Sequence, residues 1–138
     1  MALKSPEAVL RSALIANPAV AALAGTRIYP IIAPASASLP FITWRRSGIK
    51  REQTLSGPMG TPTVTVDFTM YGTTYEEVRD MADKARRVLD GYGGTSDNTT
   101  VNQAALVNES DGFETLAGAD LPIVYQVTQT YDVLWQEI

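Results

Sequence analysis

The stretch from Pro62 to Gly91 constrains the fold more than any other part of the sequence. Residues 63–71 alternate between apolar and polar side chains, and this period of two predicts a half-buried strand. Apolar side chains three or four positions apart predict an amphipathic helix over residues 74–90, and Gly91 suits the left-handed position after its last turn. The predicted apolar stripe of this helix consists of Tyr75, Val78, Ala82, Ala85, Leu89 and Tyr92. A capping box precedes it in one of two registers, Thr73–Glu76 or Thr74–Glu77. The stretch therefore predicts a strand and a helix that pack together, and it carries no catalytic motif.

Composition excludes several function classes. The chain has 138 residues, of which 45% are hydrophobic and 19% charged, so it is long and apolar enough for one globular domain with a core. A formal net charge of -4 argues against a dedicated nucleic-acid-binding surface, which would normally be basic. The sequence has no Cys and no His, so disulfides, a Ser-His-Asp triad, a Cys-His pair and a histidine zinc site are excluded within one chain. No run approaches the roughly 18 apolar residues of a membrane span.

The remaining patterns predict a single α+β domain over residues 1–138. Two short helices are expected near the N-terminus, and a turn is expected at Asn108–Gly112. Further strands are expected at residues 27–29, 41–46, 100–107 and 123–135. We expect a mostly antiparallel sheet of four or five strands, packed on the helix at about 74–90 and on the N-terminal helices. The other face of the sheet carries Thr, Gln, Asp and Arg, and it would meet solvent, a lumen or a neighbouring subunit.

Residues 47–61 form a predicted long loop that is rich in Gly and Pro. A loop of this length inside a small domain is usually functional or disordered in isolation. Lys50 and Arg51 of this loop form a basic cluster with Arg45 and Arg46, which lie just before it. The cluster has too few aromatic neighbours for a nucleic-acid site, which leaves solvation or contact with an acidic protein surface.

Chemistry-bearing residues are few, and each has a structural interpretation. The carboxylates of the long helix alternate with basic residues at spacings that predict surface ion pairs: Glu76, Asp80 and Lys84, and Asp83 with Arg86 and Arg87. Glu109, Asp111 and Glu114 lack the spacing of a calcium loop and are typical of a polar turn. The glycines at 91–94 follow a helix, whereas a phosphate loop precedes one. We expect no catalytic residue, no metal ligand and no cofactor.

Several short segments carry a family resemblance through their order and spacing. They are Arg27-Ile28-Tyr29-Pro30 with Ala33-Pro34, Leu39-Pro40-Phe41-Ile42, Arg51-Glu52, Thr54-Leu55, Ser56-Gly57-Pro58, the strand Val64-Thr65-Val66-Asp67-Phe68, Tyr75, Ala82 with Ala85-Arg86 and Leu89-Asp90-Gly91, and Val133-Leu134-Trp135. In this order they resemble the small tail-completion proteins of long-tailed phages, also called tail-to-head joining or tail-terminator proteins. The resemblance covers nearly the whole chain. Ser56 departs from it, since an Asp is expected before the Gly.

The resemblance implies a structural virion protein and not an enzyme. Such a protein forms a hexameric ring at the head-proximal end of the tail, terminates the tail tube and joins the tail to the head connector. The implied partners are other copies of the chain, the tail tube protein and the head connector or stopper protein. DNA would pass through the lumen without sequence-specific binding, and no membrane is involved. The protein would be made in the host bacterial cytoplasm.

Two other functions remain open from the residues alone. One is another virion or tail-like-device subunit of similar fold, such as a tube or head-completion protein. The other is an enzyme that uses carboxylates alone. For the ring, we expect subunit and tube contacts from the long loop and the two long strands. The residues expected to make them are Arg45, Arg46, Lys50, Arg51, Glu52, Thr54 and Leu55. An acidic lumen would repel DNA and ease its passage.

Overall fold

A computed structural model describes residues 6–31, 39–50, 53–54, 57–58, 63–96, 99–115 and 123–136. Three helices and eight strands lie in these ranges. In chain order they are α1 (Pro6–Ala16), α2 (Pro18–Ala24), β1 (Ile28–Pro30), β2 (Phe41–Lys50), β3 (Gln53–Thr54), β4 (Gly57–Pro58), β5 (Thr63–Gly72), α3 (Tyr75–Leu89), β6 (Gly94–Ser96), β7 (Thr99–Thr115) and β8 (Ile123–Gln136). The α+β class and the three helices agree with the sequence prediction.

The main sheet has six strands in the order β1-β2-β5-β8-β7-β6. β1 runs parallel to β2, and every other neighbouring pair is antiparallel. The prediction of four or five strands was therefore too low, and the sheet is mixed. The prediction omitted β6 and made β2 and β7 too short. Pairing with a neighbouring strand holds these residues in the sheet, and local composition does not reveal such pairing.

One face of the sheet, here called the inner face, holds the hydrophobic core. The alternation in β5 was predicted correctly, since Val64, Val66, Phe68 and Met70 are all fully buried. α3 lies over β5 and β8, and α1 and α2 contact α3. Removing a large side chain from such a core leaves a cavity, so Phe68→Ala would cost about 3–5 kcal/mol.

The start of α3 follows the second of the two predicted registers. The Thr74 hydroxyl accepts a hydrogen bond from the Glu77 N–H at 3.1 Å, and Glu77 Oε1 accepts one from the Thr73 N–H at 3.4 Å. Just before it, Gly72 brings the strand close to the helix, because a Cβ there would lie 2.7 Å from Val78 Cγ2. The short strand-to-helix connection therefore depends on glycine at this position.

Two parts of the apolar pattern of α3 need correction. Tyr75 was placed in the buried stripe, but its side chain is 47% exposed. Met81, which the stripe did not include, is fully buried. The helix therefore turns its core face slightly away from the predicted one, and Gly91, with φ of 81°, adopts a left-handed conformation after its end, as predicted.

The predicted turn at Asn108–Gly112 is wrong, because β7 continues through these residues. Each of them pairs with a residue of β8, for example Glu109 with Gln129. The turn-forming composition is overridden by a ladder that extends along most of β8. A register shift between Leu106 and Asn108 marks a bulge within the long strand.

β2 also extends further than predicted. It continues past Arg46, with a bulge at Ser47, until Lys50 pairs with Thr63. The connection between β2 and β5 thus spans residues 51–62, and it contains the short β3–β4 ladder. The remaining residues of the predicted loop lie outside the described ranges.

The two N-terminal helices meet at Asn17. Its Oδ1 accepts hydrogen bonds from the N–H groups of Ala19 and Val20, which caps α2. Within the described ranges, no single helix is long and apolar enough to span a membrane; α1 and α2 meet the criteria only as a pair bent by 91°.

Candidate assembly surfaces

The second face of the sheet, here called the outer face, carries polar side chains across its central strands. Three directly opposed pairs of β5 and β8 form hydrogen bonds there. Thr65 Oγ1 donates to Asp132 Oδ1 at 2.9 Å, Thr130 Oγ1 donates to Asp67 Oδ1 at 2.7 Å, and the hydroxyls of Thr69 and Thr128 are 3.2 Å apart. These six residues, called the hydroxyl ladder below, are half-buried, and they make the face polar but internally paired.

The predicted basic cluster is divided between the two faces, because successive side chains of a strand alternate. Arg45 pairs in register with Asp67 and lies exposed on the outer face. It makes no ion pair with any other described residue. Arg46 pairs in register with Val66, which belongs to the inner face.

Arg46 is joined to α1 by a two-point contact. Its Nε donates to Glu7 Oε1 at 2.5 Å, and its Nη2 donates to Glu7 Oε2 at 3.1 Å. The Glu7 side chain is only 2% exposed. A buried carboxylate requires such a partner, because desolvation penalises its charged form. Arg46 therefore has a structural role, whatever else it contacts.

The other predicted contact residues are only partly described. The backbones of Lys50 and Thr54 lie in β2 and β3. Arg51, Glu52 and Leu55 lie outside the described ranges. The proposed role of all seven residues in subunit or tube contacts remains a prediction.

A buried polar network, which the sequence did not reveal, joins α3 to β7 and β8. Gln129 is fully buried, and its Nε2 donates to the Ala82 carbonyl at 2.8 Å and to Glu109 Oε2 at 2.6 Å. Its Oε1 accepts a hydrogen bond from the Tyr131 hydroxyl at 2.7 Å. Burial raises the pKa of the Tyr131 hydroxyl, with the nearby carboxylates Asp90 and Glu109 acting in the same direction. The one polar residue on this face of β8 is thus satisfied on both sides of its amide.

The network continues to the surface through Arg79. Its guanidinium donates to Glu109 Oε1 at 3.1 Å and to Asp111 Oδ1 at 3.2 Å. The Tyr75 hydroxyl donates to Asp111 Oδ2 at 2.9 Å, and this hydrogen bond raises the pKa of Tyr75. Glu109 and Asp111 therefore lie in a strand and not in the predicted polar turn, and both carboxylates are paired with Arg79 of α3. No group of potential metal ligands occurs among the described residues.

Two exposed tyrosines lie beside this network. The rings of Tyr75 and Tyr125 meet edge to face, with centroids 6.3 Å apart, and both side chains are more than a third exposed. Together with Arg79 they form what we call the Tyr75–Tyr125 patch. Tyr and Arg are the residue types that most often dominate protein–protein contacts. The sequence pattern does not predict this patch, since the helical spacing of Tyr75 assigns it to the core.

The surface of α3 contains ion pairs that the sequence predicted, one at Asp80 and the others at Asp83. Lys84 pairs with Asp80 at 2.8 Å, and Asp83 pairs with both Arg86 and Arg87. The hydrogen bond from Arg86 lowers the pKa of Asp83. Such pairs lie on a solvated helix face and indicate no acid or base chemistry.

These features define the class of protein: a small α+β domain whose mixed six-stranded sheet is covered by helices on one face and is polar on the other. The sequence matches the family described as "Tail completion protein gp17" over residues 8–132, and the chain belongs to this family. It is accordingly a structural protein of a phage tail, and its place is in the virion.

The fold is also found in an assembled particle. A chain in the structure of the "Virion of native gene transfer agent (GTA) particle" superposes with a TM-score of 0.76 and 12% sequence identity. The match covers 96% of this chain and 95% of that chain. At this identity the likeness shows a shared fold. A comparison with curated proteins found no match.

Proposed function

We propose that this protein forms a closed hexameric ring at the head-proximal end of a phage tail. The ring terminates the tail tube and joins the tail to the head connector, so its partners are other copies of the chain, the tube protein and the connector or stopper protein. It acts by surface complementarity, without catalysis or a cofactor. Membership of a tail completion family supports this proposal.

The observation that carries the proposal is the outer face of the sheet. Its hydroxyl ladder spans the two central strands, and its polar groups are already hydrogen-bonded to one another. A face of this kind suits the wall of a water-filled channel, because it is hydrated without offering many free donors to phosphates. In the proposed ring this face lines the lumen.

The charge of the outer face fits the passage of DNA. The two carboxylates of the hydroxyl ladder, Asp67 and Asp132, outnumber Arg45 on the same face, and the net charge of the whole chain is -4. Negative walls repel phosphates, so DNA moves through the ring without sequence-specific binding. A ring whose inner wall proved basic would contradict this part of the proposal.

Electron microscopy of the purified protein, together with complementation of a phage that lacks it, tests the main proposal. We expect closed rings of fixed size and restored joining of heads to tails. Open-ended tubes would favour the alternative, a tube subunit of similar fold, and an unchanged number of unjoined tails would overturn the joining function. Hydrolase activity abolished by one Asp or Glu substitution would instead indicate an enzyme.

A matched pair of charge reversals tests the lumen. Asp132→Lys places a positive charge on the outer face, whereas Glu76→Lys makes the same charge change on the exposed surface of α3. We expect both variants to form rings, and only Asp132→Lys to slow the release of DNA from completed particles. Equal rates for the two variants would show that the outer face does not line the channel.

A further inference from the structure

The two ends of the sheet differ in how well they are protected against pairing with another strand. At one end, β1 is only three residues long. The N–H of Ile28 is already bonded to the Thr26 carbonyl at 2.8 Å, and Pro30 has no N–H. Short edge strands and prolines are common means of preventing strand addition. This edge is closed.

The other end is closed only at its beginning. β6 pairs with β7 at Thr99–Val101 alone. Further along, Ala104 exchanges main-chain hydrogen bonds with Gly91 and Tyr92, and the Leu106 N–H donates to Asp90 Oδ1 at 3.0 Å. After Leu106, no described strand lies against this side of β7. Residues 107–115 are called the bare edge below.

The register of β7 and β8 shows which main-chain groups the bare edge presents. Ala104 bonds away from β8, and it pairs in register with Val133. The main-chain groups of an antiparallel strand point to alternate sides, and here the alternation is counted along β8 because β7 contains a bulge. Gln129 and Val127 are an even number of positions from Val133, so their partners Glu109 and Asp111 also direct their N–H and C=O groups outward. The bare edge therefore offers the donors and acceptors of a strand ladder, and it contains neither Pro nor Lys.

Resting on the ring proposed above, we propose that the bare edge is paired with an extended segment of a second copy of this chain. A long unprotected edge strand is an aggregation hazard unless a partner covers it, and strand addition is a common mode of assembly. The Tyr75–Tyr125 patch lies beside this edge through the bond from Tyr75 to Asp111 and supplies aromatic contact area.

Charge and position favour a second copy as the occupant. The bare edge has three acidic residues, Glu109, Asp111 and Glu114, and the first two share the single cation Arg79, so the edge remains acidic. Arg45, which is exposed and makes no ion pair among the described residues, lies on β2. β2 and β7 are each second from an end of the sheet, on opposite sides. Head-to-tail packing in a closed ring would thus bring the acidic edge of one copy to the basic side of the next.

Two substitutions at one position isolate the main-chain contact. Asp111→Pro and Asp111→Ala both remove the side-chain bonds to Tyr75 and Arg79, but only proline removes the outward N–H. Because that N–H is bonded to no residue in the described ranges, we expect both variants to fold, which circular dichroism and thermal unfolding verify. We expect Asp111→Ala to form rings, and Asp111→Pro to reduce the fraction in rings by roughly tenfold or more, as expected when a central ladder bond is lost.

Hydrogen exchange of the wild-type protein gives an independent readout. We expect the amides of Glu109 and Asp111 to exchange on the order of tenfold or more slowly in the ring than in the dissociated protein. Equal exchange rates in the two states, or equal ring formation by the two Asp111 variants, would overturn this inference while leaving the ring function intact. Protection that appears only when a different virion protein is added would also overturn it. Failure of the wild-type protein to form any ring would instead contradict the proposed function, and this inference with it.

Discussion

The carboxylate of Glu7, in α1, is bound at both oxygens by the guanidinium of Arg46, in β2, across 39 positions of sequence. The contact fastens the first helix to the second strand of the sheet. Its two partners differ in environment, since the Glu7 side chain is 2% exposed and the Arg46 side chain is 37% exposed. Removing the Arg46 side chain would therefore leave a buried carboxylate, whereas removing the Glu7 charge would leave a partly exposed guanidinium.

We expect Arg46→Ala to destabilise the fold more than Glu7→Gln does. The first change leaves a buried carboxylate without its two charged hydrogen bonds, whereas the second leaves an arginine that can reach water. A cost of about 2–4 kcal/mol is expected for Arg46→Ala, because full loss of a buried pair costs about 3–5 kcal/mol and this arginine is partly solvated. Denaturant unfolding measures both values.

Arg45→Ala is the matched control for that experiment, because its side chain is the exposed neighbour on the other face. Its unfolding free energy should stay within about 0.5 kcal/mol of the wild type. Its effect should appear in ring formation. A larger stability loss for Arg45→Ala than for Arg46→Ala would contradict the assignment of these two arginines.

The amide of Gln129 couples α3 to two strands, and a double-mutant cycle measures that coupling. Gln129→Leu leaves the Tyr131 hydroxyl without its acceptor and removes the hydrogen bond to Glu109 Oε2, while Glu109 Oε1 keeps its bond to Arg79; this is expected to cost about 1–3 kcal/mol. Tyr131→Phe leaves the Gln129 oxygen without its donor and has a cost of similar size. Because the double variant removes both partners of the bond between them, its cost should be less than the sum. Strict additivity would show that the two side chains do not stabilise each other.

Stability should fall in alkaline solution because of Tyr131. Burial raises its pKa in the folded state above the ordinary value of 10.0. Below pH 10 the hydroxyl is protonated in both states, so its contribution is complete there. Above that pH the unfolded chain loses the proton first, and the free energy of unfolding decreases as the pH rises. Unfolding curves at a series of alkaline pH values test this, and the decrease should be shallower in Tyr131→Phe. An unchanged slope in that variant would assign the effect to other groups.

The connection between β2 and β5 can be removed without disturbing the ladder that it joins. Lys50 and Thr63 are paired in register, so an Asn-Gly turn can replace residues 51–62. We expect the shortened protein to fold with a thermal midpoint close to that of the wild type, because the described core lies on the helices and on β1, β2, β5, β7 and β8. It should fail to complete tails in the complementation assay. Normal joining of heads to tails by this variant would remove the connection from the list of contact surfaces.

Sequence pattern predicted the structure correctly where a residue's conformation or burial depends on its near neighbours in sequence. The alternation around Phe68 and the cap at Thr74 are of this kind, because a strand has a period of two and a cap reaches three residues. The family resemblance likewise rested on short segments in order, and the match over residues 8–132 confirms the family.

Sequence pattern predicted the structure wrongly where a partner distant in sequence determines the conformation or the exposure of a residue. Asn108 and Gly112 favour a turn, yet their pairing with β8 keeps them in a strand. Tyr75 has the spacing of a core residue, but Asp111, 36 positions away, holds its hydroxyl at the surface. Arg46 looked equivalent to Arg45 until the position of Glu7 was known. None of these partners can be identified from the residues beside them.

The placement of almost the whole hydrophobic core on the inner face has a consequence for how such a protein can change over generations. Mutations on the outer face remove little buried apolar area, so they leave folding almost intact. Surfaces that must fit other virion proteins can thus drift together with them while the scaffold stays the same. Two chains with 12% identity and a TM-score of 0.76 are what that separation permits.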